Sequence, residues 1–344
     1  MKFSILIPAY KDAFLEECIN SCLHQTYSDY EIIIVNDCSP NKLEEIIGKF
    51  SDNRIKFYQN KFGCGARNVV KNWNICLGYA TGDFTICIGD DDKLKPNCLE
   101  DYATLITTYP NLDVYHTRME IINQNSIVVN IQEERPTKES VYSMIWHFWM
   151  AGRKQVLGDW CFKTQTLKEK GGFIDLPFGW NSDNLTAFQF AIEKGVANNK
   201  TPGFQYRVSD LTITQKNTPE SISGKIEAWQ KSKIWYINFL KTTEPQNDID
   251  NIYKNTILNI FDRYMERKIY GEIEHGIVDY PFSIISWLKI ARHEGIPCSY
   301  VLKEFMKNGL KKLRNHTEEC SVLPLLLLHK IEATIAPRCN MELK

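Results

Sequence analysis

The sequence predicts an α/β fold: a mainly parallel central sheet flanked by helices, followed by a helical C-terminal region. Three observations predict it. Short continuous apolar runs alternate with segments of helical period over residues 1–110. Each apolar run ends in a proline, glycine or acidic turn. From residue 221 onward the period is helical throughout. Alternation with short connections is what builds a parallel sheet with helices on both faces.

Residues 3–7 form an apolar run stopped by Pro8, the pattern of a strand covered on both sides. Phe14, Leu15, Cys18, Ile19, Cys22 and Leu23 then recur at helical spacing. Residues 31–35 are a second buried strand, followed by a turn-rich stretch over 36–41. Residues 43–50 read as a helix, 54–58 as a third strand, 66–80 as a helix and 85–88 as a fourth strand. Residues 111–215 mix strands and loops; 112–118 and 126–131 are expected to pair, while 141–149 and 184–194 read as helices, the latter ended by Gly195. The expected organisation is an α/β domain over 1–220, in two parts (1–110 and 111–220), and a helical region over 221–344.

The chain has 344 residues, enough for one large domain or two ordinary ones. A net charge of −1 excludes bulk nucleic-acid binding, which needs an electropositive face. Anionic ligands must then be met by local groups. The cysteines number eleven, with no C-x-x-C pair, so neither a zinc ribbon nor a thioredoxin-type site is expected. Several sit in apolar runs as reduced thiols, which points to the cytoplasm. The N-terminal apolar run is too short for a signal peptide, and the longest other run, residues 322–328, is broken by Pro324.

Three clusters carry chemistry. Asp90-Asp91-Asp92 directly follows a buried strand, where ligands of such sheets bind. Adjacent carboxylates repel, and a hard divalent cation such as Mg²⁺ or Mn²⁺, shared with substrate phosphates, compensates them; the competing reading is a solvated acidic turn. Gly63-Cys64-Gly65-Ala66-Arg67-Asn68 precedes a helix, where glycines admit close backbone approach and the helix start favours phosphate. Arg67 adds a phosphate contact, or is a surface arginine on a plain turn. Gly179-Trp180-Asn181-Ser182-Asp183-Asn184 opens a helix, so Asp183 or Ser182 is either its N-cap or, for Asp183, a catalytic base.

The order of these motifs resembles glycosyltransferase family 2, the inverting enzymes of GT-A fold. Residues 4–11 resemble the family's opening strand with P-x-Y-N. Residues 21–27 and 31–39 resemble S-x-x-x-Q-T and E-I-I-V-V-D-D-G-S. Residues 60–68 resemble N-x-G-x-x-x-A-R-N, residues 80–84 A-x-G-E-Y, and 89–92 with Pro96 D-x-D-D followed by proline. Residues 170–173 resemble G-G-F, and Ser182-Asp183 stands where E-D is usual. The resemblance covers residues 3–190. It implies a bacterial-type glycosyltransferase of polysaccharide or cell-envelope synthesis, moving a sugar from a nucleoside diphosphate, UDP first, to a glycan or lipid-linked hydroxyl. It implies that Pro8, Ala9, Tyr10 and Asp37 frame the base, Asp37 accepting from a uracil-type ring. Arg67 is placed near base or diphosphate, Asp91 on the ribose or sugar, Asp92 on Mn²⁺ or Mg²⁺, and Asp183 as general base. Three departures stand out. Gly89 replaces the first aspartate of D-x-D-D, which shifts donor and metal contacts toward Asp90. Asn36 and Cys38 alter D-D-G-S, and Lys11 replaces asparagine.

The resemblance makes 1–220 the catalytic domain, with a nucleotide-binding part (1–110) and an acceptor part (111–220), where Trp146, His147, Phe148, Trp149, Trp160 and Trp180 fall as sugar-facing aromatics or as core; His116 and His147 are ligands or, as is commoner for a lone histidine, structural. Residues 300–314 form a basic amphipathic pattern, packed on the catalytic domain or resting as a peripheral contact on an anionic membrane. The alternative function is a non-catalytic nucleotide-sugar or glycan-binding module on the same fold, favoured by Gly89 and Asn36 and opposed by the retained Asp92 and Asp183. A nucleotidyltransferase would need a glycine-rich basic loop after the first strand, where residues 8–12 have no glycine.

Overall fold

The computed structural model describes residues 1–209 and 217–309. Ten strands form one mixed sheet: β1 (Phe3–Ala9), β2 (Tyr30–Asn36), β3 (Ile55–Gln59), β4 (Phe84–Cys87), β5 (Lys93–Leu94), β6 (Val114–Ile122), β7 (Val128–Ile131), β8 (Lys138–Glu139), β9 (Trp160–Lys163) and β10 (Val196–Arg207). The order is β3-β2-β1-β4-β9-β6-β10-β5, with β7 beside β6 and β8 beside β10. β1 to β4 are mutually parallel, as are β6 and β10, and β9 runs antiparallel between β4 and β6. The pairing expected between 112–118 and 126–131 is displaced: β7 pairs antiparallel with the end of β6 at Glu120–Ile122, while Val114–His116 pair with β9. The helices are α1 (Leu15–Leu23), α2 (Leu43–Ile47), α3 (Val69–Tyr79), α4 (Cys98–Thr108), α5 (Val141–Met150), α6 (Thr164–Glu169), α7 (Ser182–Ala191), α8 (Pro219–Thr242), α9 (Asp248–Asp279), α10 (Ile284–His293) and α11 (Cys298–Glu304).

The period-2 alternation of the strands assigns their side chains to two cores. Ile5, Ile7, Ile32 and Ile34 join Leu15, Cys18, Ile19, Leu99 and Tyr102 on one face. Leu6, Ile33 and Val35 join Val70, Trp73, Cys76 and Leu77 on the other. Every residue of β2 is buried, which explains its uninterrupted apolar run. Each such aliphatic side chain contributes about 1.5–3 kcal/mol through burial. Glu31, at the start of that run, is a buried tie: it accepts from Ser4 Oγ (2.7 Å), Thr81 N (2.7 Å) and Lys56 Nζ (2.6 Å).

Two compact units divide the chain. The first holds Met1–Lys216 together with Glu227–Met265, so the helical region does not begin a separate body at residue 221. Within this unit Trp149 of α5 stacks on Tyr264 at 4.1 Å and meets Tyr236 edge-on at 5.0 Å. The second unit holds Asn217–Ile226 and the chain from Glu266 on. Its core gathers Ile222, Ile226, Ile273, Ile277, Ile284 and Trp287. Gly276 admits the Trp287 ring, which would lie 2.8 Å from a Cβ there. Of the basic stretch over 300–314, residues beyond 309 lie outside the described residues, as do the 322–328 run, Cys320 and Cys339. The nine described cysteines are free thiols. Among the described residues no helix is long and apolar enough to cross a membrane.

Candidate active site

β1, β2 and β4 end at one edge of the sheet, and their exits meet there. Asp37 N donates to Ala9 O (2.9 Å), Ser39 Oγ donates to Tyr10 O (2.6 Å), and the backbone N–H groups of Tyr10 and Lys11 donate to Asp90 Oδ2 (2.7 and 2.6 Å). Pro8 and Ala9 close β1, with Ala9 buried and Tyr10 half exposed. Lys11 Nζ lies 3.3 Å from Asp90 Oδ1 and hydrogen-bonds Asp91 Oδ2. Asp92 faces the opposite way: its Oδ1 accepts from Arg207 N (2.9 Å) and its Oδ2 from Gly89 N (3.3 Å). All three carboxylates are buried. Burial pushes Asp90 above the usual carboxylate range, against the pull of Lys11. Burial and the Asp91 charge push Asp92 well above it.

The glycine-rich loop hangs from Asp37. Asp37 Oδ1 accepts from Cys64 N (2.7 Å) and Asn60 Nδ2 (3.0 Å), and Oδ2 accepts from Gly65 N (3.2 Å). A carboxylate offers about four acceptor sites; the Cys64 thiol takes the fourth, so a ligand's N–H reaches it by displacing that thiol. Gly65 adopts φ 75°, which only glycine takes without strain. The expected helix start is a short 3₁₀ turn, Ala66–Asn68, leading into α3. Arg67 does not point free: Nη2 pairs with Glu227 on α8, which also holds Lys231 Nζ at 2.9 Å.

The segment that carries Asp183 packs against this loop. The 3₁₀ turn Pro177–Gly179 contacts the turn Ala66–Asn68, and a Cβ on Gly179 would lie 3.0 Å from the Trp73 ring. Phe178, Gly179 and Asn181 all take left-handed φ values (59°, 65° and 69°), a strained approach to α7. The N-cap of α7 is Asn181, without a side-chain cap bond, so neither Ser182 nor Asp183 fills the expected cap role. Ser182 Oγ instead accepts from Leu176 N at 3.2 Å. Asp183 Oδ1 accepts from its neighbour's N (2.8 Å) and Asn184 Nδ2 (3.1 Å). Burial outweighs the backbone hydrogen bonds and pushes Asp183 up to about 7.

Four participants were missed in sequence. Lys11 was noted only as a departure. Arg207 reaches Asp91 O through Nε (2.7 Å) and Glu17 through Nη2 (3.0 Å), and closes the triplet from below. Glu227 holds Arg67. Asp159, pushed to about 8 by burial, lies close enough to Asp183 to feel its charge. The alternation of Phe204, Tyr206 and Val208 with Gln205 and Arg207 was the available signal for the Arg207 strand. Trp160 and Trp149 are core, and His116 is fully buried and held neutral by burial and two arginines. His147 Nδ1 contacts Ser143 O at 2.8 Å, a bond internal to α5.

The residues present fit a divalent cation in part. A Cβ on Gly89 would lie 2.9 Å from both Asp91 Oδ1 and Asp92 Oδ2, so two hard oxygens converge over the one position without a side chain. Asp90 is turned instead onto the backbone of β1's exit. Among the described residues no group of three or more His, Cys, Asp or Glu is arranged to hold a metal alone. Two carboxylates completed by substrate phosphates is the usual mode for Mg²⁺.

Residues 4–159 match the family model described as Glycosyl transferase family 2. Over 126 residues the chain is 33% identical to UDP-Glc:alpha-D-GlcNAc-diphosphoundecaprenol beta-1,3-glucosyltransferase WfgD of Escherichia coli, covering 36% of this chain and 48% of that enzyme. The matches span less than half the length of the curated relatives. S. aureus TarS (residues 1–349, with UDP-GlcNAc) superposes with a TM-score of 0.61 at 17% identity, covering 93% of this chain and 92% of that one. The mannosyltransferase PcManGT of Pyrobaculum calidifontis, with GDP-Man and Mn²⁺, does so at 0.52 and 12% identity, covering 89% and 86%. The sheet-edge motifs fall inside the matched segment and the architecture extends beyond it: residues 4–159 match glycosyltransferase family 2, and the fold is GT-A.

Proposed function

We propose that this chain is an inverting glycosyltransferase that moves a sugar from a nucleoside diphosphate, UDP first, to a hydroxyl of a glycan or lipid-linked acceptor. The observation that carries the reading is Asp183: a partly buried carboxylate poised near neutrality, not used as a helix cap, on the segment that packs against the glycine loop. The names of relatives support the substrates. WfgD is named for UDP-glucose and a diphosphoundecaprenol acceptor, and TarS is seen with UDP-GlcNAc.

The base lies against Pro8, Ala9 and Tyr10, with Asp37 taking its ring N–H in place of the Cys64 thiol. The N–H groups at the start of the 3₁₀ turn and Arg67 face the diphosphate, Arg67 after leaving Glu227. Asp91 meets the ribose or sugar. A divalent ion held by Asp92 with Asp91 would supply Lewis-acid stabilisation of the departing diphosphate. Asp90 keeps the β1 exit in place by accepting from Tyr10 and Lys11. Asp183 takes the acceptor's proton as its oxygen attacks the anomeric carbon from the face opposite the diphosphate, which inverts that centre without a covalent sugar–enzyme intermediate.

The test is Asp183→Asn, assayed for transfer from UDP-sugars and for UDP binding by calorimetry. Transfer should fall about 10²–10⁴-fold while nucleotide affinity stays within about twofold of wild type. Wild-type turnover in this variant would place the base elsewhere. A lipid-linked acceptor would bring the chain to a membrane surface, where the exposed Lys303 and Lys307 are the described part of the contact. Sedimentation with anionic liposomes, with and without residues 298–344, checks it.

A further inference from the structure

The acidic triplet already has a cation of its own. Lys11 stands at the exit of β1, and its backbone N–H is fixed to Asp90 Oδ2 at 2.6 Å. That bond ties the lysine to the triplet whatever its side chain does. Its ammonium then returns to the same group, 3.3 Å from Asp90 Oδ1 and in a closer hydrogen bond with Asp91 Oδ2. The side chain is only 21% exposed, so water screens these pairs weakly. Among the described residues, Lys11 supplies every ion pair made by the triplet's side chains. Arg207 reaches the triplet through its own backbone N–H and through Asp91 O, and spends its charge on Glu17.

A divalent ion over Gly89 would take Asp91 Oδ1 and Asp92 Oδ2, the two oxygens that converge there. It would share the Asp91 carboxylate with an ammonium, and two cations on one carboxylate repel. The repulsion is relieved when a third, anionic group arrives to take one of them. The donor's diphosphate is such a group.

Resting on the donor-site reading above, we propose that Lys11 competes with the divalent cation for Asp91, so that metal binds weakly alone and tightly only with the nucleoside diphosphate, which takes over the ammonium. Lys11 is thus a positioning residue that couples metal to donor. Coupling of this kind is reciprocal: UDP raises Mn²⁺ affinity by the factor by which Mn²⁺ raises UDP affinity.

The experiment titrates Mn²⁺, read as the loss of the free-ion paramagnetic resonance signal, with and without UDP. In the wild type UDP should raise Mn²⁺ affinity about tenfold or more, the scale of a like charge removed at contact distance. In Lys11→Met, Mn²⁺ affinity without UDP should rise by about the same factor and the gain from UDP should shrink. Lys11→Arg, which keeps the charge, should behave as wild type. Unchanged or weaker Mn²⁺ binding by folded Lys11→Met overturns the proposal. If that variant does not fold, a wild type in which UDP leaves Mn²⁺ affinity unchanged overturns it as well. Asp92→Asn separates the two readings: Mn²⁺ binding that survives this substitution sinks the assigned metal position and leaves the Lys11 measurements to be read at another site.

Discussion

The ionisation of Asp183 sets a pH dependence that can be worked from its surroundings. A carboxyl group of ordinary pKa 3.8 is pushed up to about 7, burial being the larger cause and the two backbone N–H contacts a partial offset. At about 1.4 kcal/mol per tenfold, that gap means the charged form is about 4 kcal/mol less favourable here than in water. As a general base Asp183 must be ionised, so kcat/KM should rise with pH through about 7 and fall roughly tenfold per pH unit below it. The sign for stability is the reverse. Between pH 3.8 and about 7 the native carboxyl holds a proton that the unfolded chain has released. Its contribution to stability is therefore complete below pH 3.8 and is lost as pH rises through about 7. Two assays bear on one number: initial rates of UDP release from pH 5.5 to 9, and thermal unfolding of wild type and Asp183→Asn over the same range. Across this range the variant should gain on wild type by about 2 kcal/mol, the remainder of the roughly 4 kcal/mol falling below pH 5.5. An acid limb centred near 4, or parallel unfolding profiles for the two proteins, refutes the reasoning.

Asp37→Ala removes the charged acceptor shared by Cys64 N, Gly65 N and Asn60 Nδ2, three partly exposed donors. It should cost about 1–3 kcal/mol in chemical denaturation and abolish measurable UDP binding. Glu227→Gln releases Arg67 from a half-exposed pair, so stability should change by less than about 1 kcal/mol while calorimetry shows tighter UDP binding. Gly89→Ala drives a methyl into the space between Asp91 Oδ1 and Asp92 Oδ2, whose positions Lys11 and Arg207 restrain. Paramagnetic titration should show weaker Mn²⁺ binding in the presence of UDP.

The strands that carry the site were readable because they are buried on both faces. β1, β2 and β4 appear as unbroken apolar runs, and a polar cluster at the end of each such run in a parallel sheet must lie at one edge. Asp37, Asp90, Asp91 and Asp92 follow from that rule alone. What they do there did not follow. Asp37 takes its partners from residues 60–65, and Arg207 reaches Asp92 across more than a hundred residues, through β10. That strand alternates cleanly only from Phe204 on, because its pairing with β6 shifts register on both sides of Pro202, and Gly203 must pass within 2.4 Å of Thr117 Oγ1 for any Cβ it carried. Asp183 was legible as a candidate and its helix as a helix, yet the cap fell to Asn181 because the chain enters α7 through left-handed turns that no residue pattern announces. The boundary at residue 221 marked a change in composition; the aromatic packing of Trp149 on Tyr236 and Tyr264 decides where residues 227–265 belong.

The surroundings of Asp183 explain why it is tuned near neutrality and not far below. A carboxylate next to an arginine falls below its usual range and becomes a weak base. Two buried arginines of the same unit spend their charge elsewhere. Arg153 forks onto Glu139 at 2.9 and 3.0 Å. Arg135 lies over the Trp160 ring at 5.3 Å and donates to Gln155 Oε1 at 3.3 Å. Gln155 in turn donates to Asn184 Oδ1 at 2.6 Å, and Asn184 donates to Asp183 Oδ1. A neutral pair of amides thus separates guanidinium from base: the network fixes the carboxylate's direction and transmits no full charge. Asp159 is held up near 8 by burial, and the Asp183 charge adds to that rise, so the two carboxyls resist ionising together. Orientation comes from the amides and basicity from the dry surroundings, so the two properties a general base needs are set by different residues.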